Sequence, residues 1–249
     1  MSRFRDARLQ LHWAAQPAAA VGRTLLPHRD DFSEESLQWS AALGALVQKN
    51  SGIRLRDMTQ LLLDDRGRII DELALNGRTL DEGYSFYENH FSVRLTRPAE
   101  GPPSHPVAGG AGFDADREDL ERLHDYFENA DANLKVAARR EQGASAVVCW
   151  PHHFDIATLI TLDPAGETAR TIGVGMVPGD SGIADPYYYV TPWPYPKSPS
   201  LPPLSAGEWH SEGWFGAFLL AEPFDGRIAQ FLSEAVERCR ALILRISSV

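Results

Sequence analysis

The amino-acid sequence predicts an α+β protein in which mostly antiparallel sheet is covered by helices. Helical patterns begin and end each half of the chain, strand patterns fill both middles, and a segment rich in Pro and Gly separates the halves. Helices that bracket a run of strands favour an antiparallel sheet with helices on one face. The predicted order is α-β-β-β-α for the first half and α-β-β-β-β-α for the second.

The elements of the first half follow from spacing and turn chemistry. Residues 9–26 place apolar side chains at helical intervals, despite one internal proline. Residues 36–48 alternate with period two, which favours a strand. The next stretch, MTQLLLDDRGRIIDELAL, has two apolar runs around DDRG and indicates a hairpin. Thr79 and Glu82 have the spacing of a capping box, so residues 78–91 are predicted to be helical.

Residues 98–113 are dominated by Pro, Gly and Ala and predict an irregular linker. The linker divides the chain into an N-terminal half, residues 1–97, and a C-terminal half, residues 114–249. We expect the two halves to pack into one globular body. His105 lies within the linker and is expected to be solvated.

The second half begins with a long helical pattern over residues 116–142, with acidic residues in its first turns, as the helix dipole prefers. Strands are predicted in SAVVCW, HHFDIATLITLD, ARTIGVGMV, YYYVTPW and WFGAFLLA. Residues 227–246 carry one apolar face and predict the closing helix. The glycines of GVGMVPGD (residues 173–180) lack the spacing of a phosphate-binding loop, so no nucleotide cradle is expected.

Charge and cysteine content limit the possible partners and location. The chain has 34 acidic and 24 basic side chains and a formal charge of -10. This balance disfavours nucleic acid and anionic membrane surfaces, which attract basic patches. There is no apolar signal stretch and no apolar run of membrane-spanning length. Cys149 and Cys239 are predicted to be buried thiols in a reducing compartment, so we expect a cytoplasmic protein.

The segment from Cys149 to Trp214 holds the chemically unusual residues, including four of the six Trp and three of the eight His. His153 stands two positions before Asp155, and His210 stands two positions before Glu212. Residues i and i+2 of a strand point to the same side, so each pair could face one pocket. The sequence therefore predicts a cleft lined by aromatic rings, imidazoles and carboxylates.

Such a cleft is suited to a small organic ligand, and this is the favoured interpretation. The predicted ligand-binding residues are Trp150, His152, Asp155, Tyr189, Trp193 and Trp209. The structural alternative is that the polar side chains of this segment form hydrogen bonds or ion pairs with one another, with Asp155 paired to His152 or to an arginine. A third interpretation is a protein-interaction domain that exposes part of the aromatic, proline-rich loop.

A metal-dependent enzyme is the main functional alternative. His-x-Asp followed some fifty residues later by His is the sequence form of the triad that holds non-haem iron. Glu212 could add a fourth ligand, and zinc would accept the same groups. The predicted ligands are His153, Asp155, His210 and Glu212, with Fe or Zn activating water at an open position.

Two short motifs resemble an uncharacterised bacterial domain-of-unknown-function family. The first is LHWAAQ, with Leu11, His12, Trp13 and Gln16, which is similar to a Leu-His-x-Trp-x-Gln helix. The second is Phe154–Ala157, FDIA, which is similar to a Phe-Asp-Leu-Ala strand. The resemblance covers the order of helices and strands over most of the chain and implies no activity. It supports Asp155 and implies a small residue in place of His153.

Overall fold

A computed structural model describes residues 2–163, 169–197, 201–222 and 225–246 of the chain. Over these ranges the protein has an α+β fold with four α-helices and two antiparallel sheets, of five and six strands. The fold class predicted from the sequence is confirmed. The helices are α1 (Arg3–Leu25), α2 (Leu80–Phe91), α3 (Arg117–Arg140) and α4 (Ile228–Ile246).

The chain divides into two compact units whose boundaries differ from those predicted. The first unit is Met1–Glu128 with Val148–Phe154, and the second is Asn129–Val147 with Asp155–Val249. Residues 98–113 are irregular as predicted, apart from one short 3-10 turn, but they lie inside the first unit and do not separate the units.

The expectation that His105 is solvated is wrong. Its side chain is buried, the amide of Val107 donates to its Nδ1, and its Nε2 lies 3.1 Å from Asp6 Oδ1. An irregular segment must satisfy its polar groups when it is buried, and here a side chain serves that purpose. Composition predicted the lack of regular structure and missed the burial.

The first sheet has the order β1-β2-β3-β4-β5, with every pair antiparallel. Its strands are β1 (Gln38–Ser40), β2 (Ala45–Gln48), β3 (Ser51–Arg54), β4 (Thr59–Leu63) and β5 (Ile69–Ala74). The hairpin predicted around DDRG is confirmed as β4 and β5. The strand predicted over residues 36–48 is a hairpin of two short strands, turned at Gly44 with a φ of 59°, and β3 was not predicted.

Helix α2 begins where the sequence indicates, whereas α1 begins at Arg3, six residues before the predicted start. Thr79 accepts from the amide of Glu82, and the Glu82 carboxylate accepts from the amide of Thr79, so the predicted capping box opens α2. The side chain of Ser2 caps α1. A run of small residues along α1, from Ala14 to Ala20, is almost fully buried, which lets the helix approach β3 and β4 closely.

The second sheet has the order β10-β11-β9-β8-β7-β6. Its strands are β6 (Val148–Trp150), β7 (Asp155–Asp163), β8 (Arg170–Val177), β9 (Tyr187–Trp193), β10 (Glu208–His210) and β11 (Gly216–Leu220). The predicted strands and both predicted helices of this half are present, and β10 was not predicted. No helix in the described ranges is both long and apolar enough to cross a membrane.

Alternation gives the second sheet two different faces. One face carries fully buried apolar side chains, among them Val174, Val190 and Ala217. Helix α4 packs against β8, β9 and β11, and its Cys239 Sγ lies 3.8 Å from the carbonyl oxygen of Val190. The other face carries Gly173, Gly175, Tyr187, Tyr189 and, at the start of β7, Asp155. We call these five residues the tyrosine face.

Candidate functional site

A hydrogen bond between Tyr189 and Asp155 organises the tyrosine face. The Tyr189 hydroxyl donates to Asp155 Oδ2 at 2.5 Å, and the carboxylate is buried. Burial, together with the neighbouring carboxylate, raises the pKa of Tyr189 well above its ordinary value. The phenol therefore stays protonated at neutral pH and donates a hydrogen bond to the carboxylate. This is a charge-assisted hydrogen bond, the stronger class.

Glycine at position 175 makes this bond possible. Asp155 lies on β7 and Tyr189 on β9, so the bond crosses β8, a span of two strand spacings or about 9.6 Å between main chains. Gly175 stands directly opposite Tyr189 in the register. A Cβ at position 175 would lie 2.6 to 2.7 Å from atoms of the Tyr189 ring, closer than side-chain atoms pack. The Tyr189 ring therefore packs directly against the main chain at Gly175.

A second tyrosine–carboxylate pair lies at the same end of β9. The Tyr187 hydroxyl donates to Asp180 Oδ2 at 2.6 Å. The other carboxylate oxygen accepts from the amides of Gly182 and Ile183, each at 2.7 Å, in a local turn. The sequence analysis missed this pair. The available signal was the turn sequence PGDSG, in which an aspartate caps its own loop.

Aromatic rings surround both pairs. Tyr187, Tyr189 and Trp214 lie with their ring centroids 6.3 to 6.5 Å apart, and the planes of Tyr187 and Trp214 are within 16° of parallel. The His210 ring lies 4.5 Å from Trp214, and Phe218 lies 6.2 Å from Tyr187. The site therefore combines two carboxylates with a wall of π faces, and Trp214 is a second component that the sequence analysis did not single out.

The predicted pairing of His153 with Asp155 is wrong in its geometry. Residues 151–154 form a turn, and Phe154 has a φ of 58°, in the left-handed region. β7 begins only at Asp155, so strand alternation does not reach back to His153, which is exposed and belongs to the first unit. The i, i+2 rule requires both residues to be in one extended strand.

The same correction applies to His210 and Glu212. His210 is the last residue of β10, and Glu212 is exposed in the following loop. The Nε2 of His210 lies 2.7 Å from the main-chain oxygen of Glu212, so the imidazole contacts the backbone of this residue. The two side chains are not presented together by a strand.

One group of three potential ligand side chains comes together in the part of the chain that the structure describes, and it contains none of the four predicted metal ligands. It is His124, Asp125 and Glu128 of α3, whose ligand atoms lie within 4.8 Å of one another. Arg56 donates to His124 Nε2 at 2.8 Å. Burial and the Arg56 charge lower the pKa of His124. A guanidinium at the imidazole nitrogen opposes a metal ion at the same position.

The remaining predicted ligand-binding residues are dispersed. Trp193 is 53% exposed and lies against Tyr195. Trp209 stands opposite Ala217 in the register, hence on the other face of the sheet, and its indole donates to Pro202 O at 2.8 Å. Trp150 and His152 belong to the first unit, where their rings lie 6.1 Å apart.

Of the predicted ligand-binding residues, Asp155 and Tyr189 are the two that the second unit joins by a hydrogen bond. The structural alternative from the sequence analysis paired Asp155 with His152 or with an arginine. The Tyr189 phenol is a donor to Asp155 that this alternative did not consider.

In the first unit, two of the residues that carry the family resemblance, His12 and Gln16, meet at one carbonyl group. His12 Nε2 and Gln16 Nε2 lie 2.8 and 2.7 Å from Pro151 O. The His12 ring stacks on Phe154 with centroids 5.0 Å apart and planes within 13°. Burial lowers the pKa of His12 to about 4, so the ring is neutral at pH 7 and donates to the carbonyl. These residues hold the turn at 151–154 and have a structural role.

An open cavity of about 600 Å³ lies elsewhere in the second unit, where α3 ends. No aromatic or histidine side chain lines it, and Arg240 forms an ion pair with Glu141 there. Its lining residues are Arg140, Glu141, Gln142, Gly143, Thr161, Leu162 and Arg240. None of them was predicted to bind a ligand.

The tyrosine face is thus defined by its own contacts, and relatives add nothing to its interpretation. The chain matches no protein-family model, no curated protein and no solved structure.

Proposed function

We propose that this protein binds a small organic ligand at the tyrosine face of its second unit, in the cytoplasm. The observation that carries the proposal is the bond from Tyr189 to buried Asp155 across Gly175. Burying a carboxylate costs several kcal/mol of lost hydration unless it is well compensated, and apolar residues of the same size would stabilise a sheet as well or better. The bond between Tyr189 and Asp155 holds this carboxylate in a fixed orientation beside the aromatic rings, which is the arrangement of a polar group that orients a ligand.

The surroundings support a ligand with a flat, apolar part. Trp214, with His210 against it, offers ring faces, and stacked or edge-on aromatic contacts contribute about 0.5–1.5 kcal/mol each beyond the area they bury. Small-molecule sites combine such walls with a few polar groups that fix orientation. Here the polar groups are the two tyrosine–carboxylate pairs.

Tryptophan fluorescence tests this proposal with a control inside the same unit. A library of small aromatic and heterocyclic compounds is titrated against the protein and against Trp214→Phe and Trp209→Phe. We expect ligands that change the emission of the natural protein and of Trp209→Phe, with that response abolished in Trp214→Phe. Trp209 is the matched control because it lies on the other face of the sheet. A response that survives in Trp214→Phe and disappears in Trp209→Phe would exclude the tyrosine face.

The two alternatives predict different results. A metal-dependent enzyme built on His153, Asp155, His210 and Glu212 would retain iron or zinc near one equivalent when purified without a His-tag, as measured by elemental analysis. An interaction domain would use the exposed rings of Trp193 and Tyr195, and Trp193→Ala would then weaken association without affecting small ligands. Ligand binding is preferred because the buried charge lies at Asp155, away from the exposed rings.

A further inference from the structure

We propose that the cavity at the end of α3 is a second binding site, for a small polar anion whose carboxylate or phosphate group is held by Arg140 and Arg240. The cavity lies in the second unit and has a volume of about 600 Å³, within the range of small-molecule sites, about 300–1,000 Å³. It is independent of the tyrosine face, since no residue of that face lines it. Three properties of the cavity support the inference: its wall, its charge and the unused donors of its arginines.

One wall of the cavity is fixed by main-chain contacts. The chain leaves α3 after Arg140 and turns at Gly143, whose φ of 84° lies in the left-handed region. The amide of Thr161 donates to the carbonyl oxygen of Gly143 at 3.0 Å, and a Cβ at position 143 would lie 2.5 Å from the carbonyl oxygen of Thr161. Glycine therefore lets this turn pack directly against β7. The contact holds the cavity-lining residues of the turn in place beside the strand.

The lining of the cavity is positively charged in an acidic chain. Its charged side chains are two arginines and one glutamate, Arg140, Arg240 and Glu141, so the lining has a net charge of +1, whereas the whole chain carries -10. Among the described residues that line it, Leu162 has the one apolar side chain. A cleft with an excess of one sign of charge raises the local concentration of ions of the opposite sign. The cavity therefore favours a small anion that is otherwise polar.

Arg240 has hydrogen-bond donors that its ion pair does not use. Its Nη2 pairs with Glu141, and its Nε is buried without an acceptor in the part of the chain that the structure describes. The side chain as a whole is partly exposed and lines the cavity. A guanidinium has five N–H donors in a fixed fork, and a buried donor without an acceptor is costly. A carboxylate or phosphate in the cavity would accept from the donors that Glu141 leaves.

Arg140 adds a second guanidinium that no acid neutralises. It is exposed, lines the cavity and forms no ion pair with any residue of the described ranges. A basic residue in the last turn of α3 also complements the helix dipole, and Arg139 has that position too. Of the two, Arg140 lines the cavity and Arg139 does not. The planar guanidinium matches the geometry of carboxylate and phosphate, so two of them at one cavity favour an oxyanion.

The test uses three probes with the same carbon skeleton and different charges: glycerol phosphate, glycerate and glycerol. Binding to the natural protein is measured by isothermal titration calorimetry at low and at physiological ionic strength. We expect both anions to bind about tenfold or more tightly than glycerol, because hydrogen bonds between charged groups are the stronger class, and their advantage should shrink with salt. A tighter phosphate or a tighter carboxylate each supports the site and identifies the preferred group. No anion binding, or affinities equal to that of glycerol, would overturn the inference.

Arg140→Gln assigns the binding to the cavity. Arg140 is exposed and has no ion-pair partner within the described ranges, so the variant should fold, and the affinity for the anions should fall about tenfold. Arg139→Gln is the matched control, because it removes the same charge from the neighbouring residue, which is exposed and does not line the cavity. An equal fall in the two variants would contradict the inference, since attraction to the general surface charge would then explain the binding.

Glu141→Gln should change the affinity in the opposite direction. The amide oxygen can still accept from Arg240, while the competing negative charge is removed, so the affinity for glycerol phosphate should rise about threefold or more. Arg240→Lys keeps the charge and removes the planar fork, and it should bind the anions several-fold more weakly than the natural protein. An anion affinity that is unchanged or lowered in Glu141→Gln, or unchanged in Arg240→Lys, would exclude Arg240 as a ligand of the anion and overturn the inference.

Discussion

Two tyrosines, one in each unit, have hydrogen-bond acceptors of different charge. In the first unit, the hydroxyl of Tyr87 lies within 3.0 Å of three neutral oxygens, those of Gly52, Gln60 and Leu61. Gln60 in turn donates to the carbonyl of Ala14 in α1. In the second unit, the hydroxyl of Tyr189 donates to a carboxylate. Both tyrosines have raised pKa values because desolvation disfavours the phenolate, and they differ in the charge of the acceptor.

This difference separates structural polar groups from candidate functional ones. Neutral partners satisfy a buried phenol at little electrostatic cost, and they join helix to sheet in the first unit. A carboxylate acceptor adds the desolvation penalty of a charged group. We therefore assign the hydrogen bonds of Tyr87 to stability and propose a binding role for the Tyr189–Asp155 pair. Each prediction below tests one side of this comparison.

The largest effect is expected for Tyr189→Phe. The change removes the donor to a buried carboxylate, which should lower the free energy of unfolding by about 3 kcal/mol, since hydrogen bonds to charged groups are the most costly to lose. Chemical denaturation of the variant measures this loss. In an Asp155→Asn background the same change should cost only about 1 kcal/mol, as for a neutral hydrogen bond. Equal losses in both backgrounds would contradict the charged character of the pair.

Acidification should destabilise the first unit through His12. Its pKa is lowered from 6.5 to about 4 in the folded protein, so the unfolded chain takes up the proton first. The stabilising contribution is complete above pH 6.5 and is lost as the pH falls toward 4, by about 2.5 kcal/mol between pH 7 and pH 4.5. Unfolding free energies at the two pH values measure it. His12→Asn removes the titrating group, and an unchanged pH dependence in this variant would refute the assignment.

Gly175→Ala should disrupt the tyrosine face because the added methyl group would clash with Tyr189. The added Cβ would lie 2.6 to 2.7 Å from the Tyr189 ring, so the ring must shift and its bond to Asp155 must lengthen. Overpacking of this kind costs about 2 kcal/mol. Thermal unfolding gives the loss, and ligand titration should show weakened binding. Gly182→Ala is the control, because a Cβ there would meet nothing closer than 3.5 Å; a similar loss in both variants would count against the special role of Gly175.

The smallest effect is expected for Tyr87→Phe. Its neutral acceptors include two main-chain carbonyls of neighbouring strands, so the loss should be about 1 kcal/mol and independent of pH near neutrality. Denaturation at pH 6 and pH 8 provides the measurement. A cost equal to that of Tyr189→Phe would remove the distinction between the two units.

Most of the fold could be predicted because local rules govern it. The capping box at Thr79, the hairpin around DDRG and the apolar faces of α3 and α4 depend on residues close together in sequence. The elements that were predicted wrongly or not at all also have local explanations. Strands β3 and β10 have only four and three residues, too few for a period to stand out, and the strand predicted over residues 36–48 turns back at Gly44.

The candidate site could be predicted only in part. The concentration of aromatic rings, imidazoles and carboxylates between Cys149 and Trp214 identified Asp155 and Tyr189. Strand alternation failed at His153 and Glu212 because β7 begins after His153 and β10 ends before Glu212. Asp180 lies in a loop, and Trp214 lies in the loop before β11 although it begins the predicted strand WFGAFLLA. Neither residue was selected by pattern analysis.

The sequence by itself determined the α+β class, the helices with their caps and the acidic, aromatic character of the segment that carries the site. These depend on propensity, periodicity and charge, which are properties of neighbouring residues. Only the tertiary structure decided that Asp155 meets Tyr189, 34 positions later, across Gly175. That contact depends on the register of three strands, and register is decided by packing on both faces of the sheet, which no local stretch of sequence encodes.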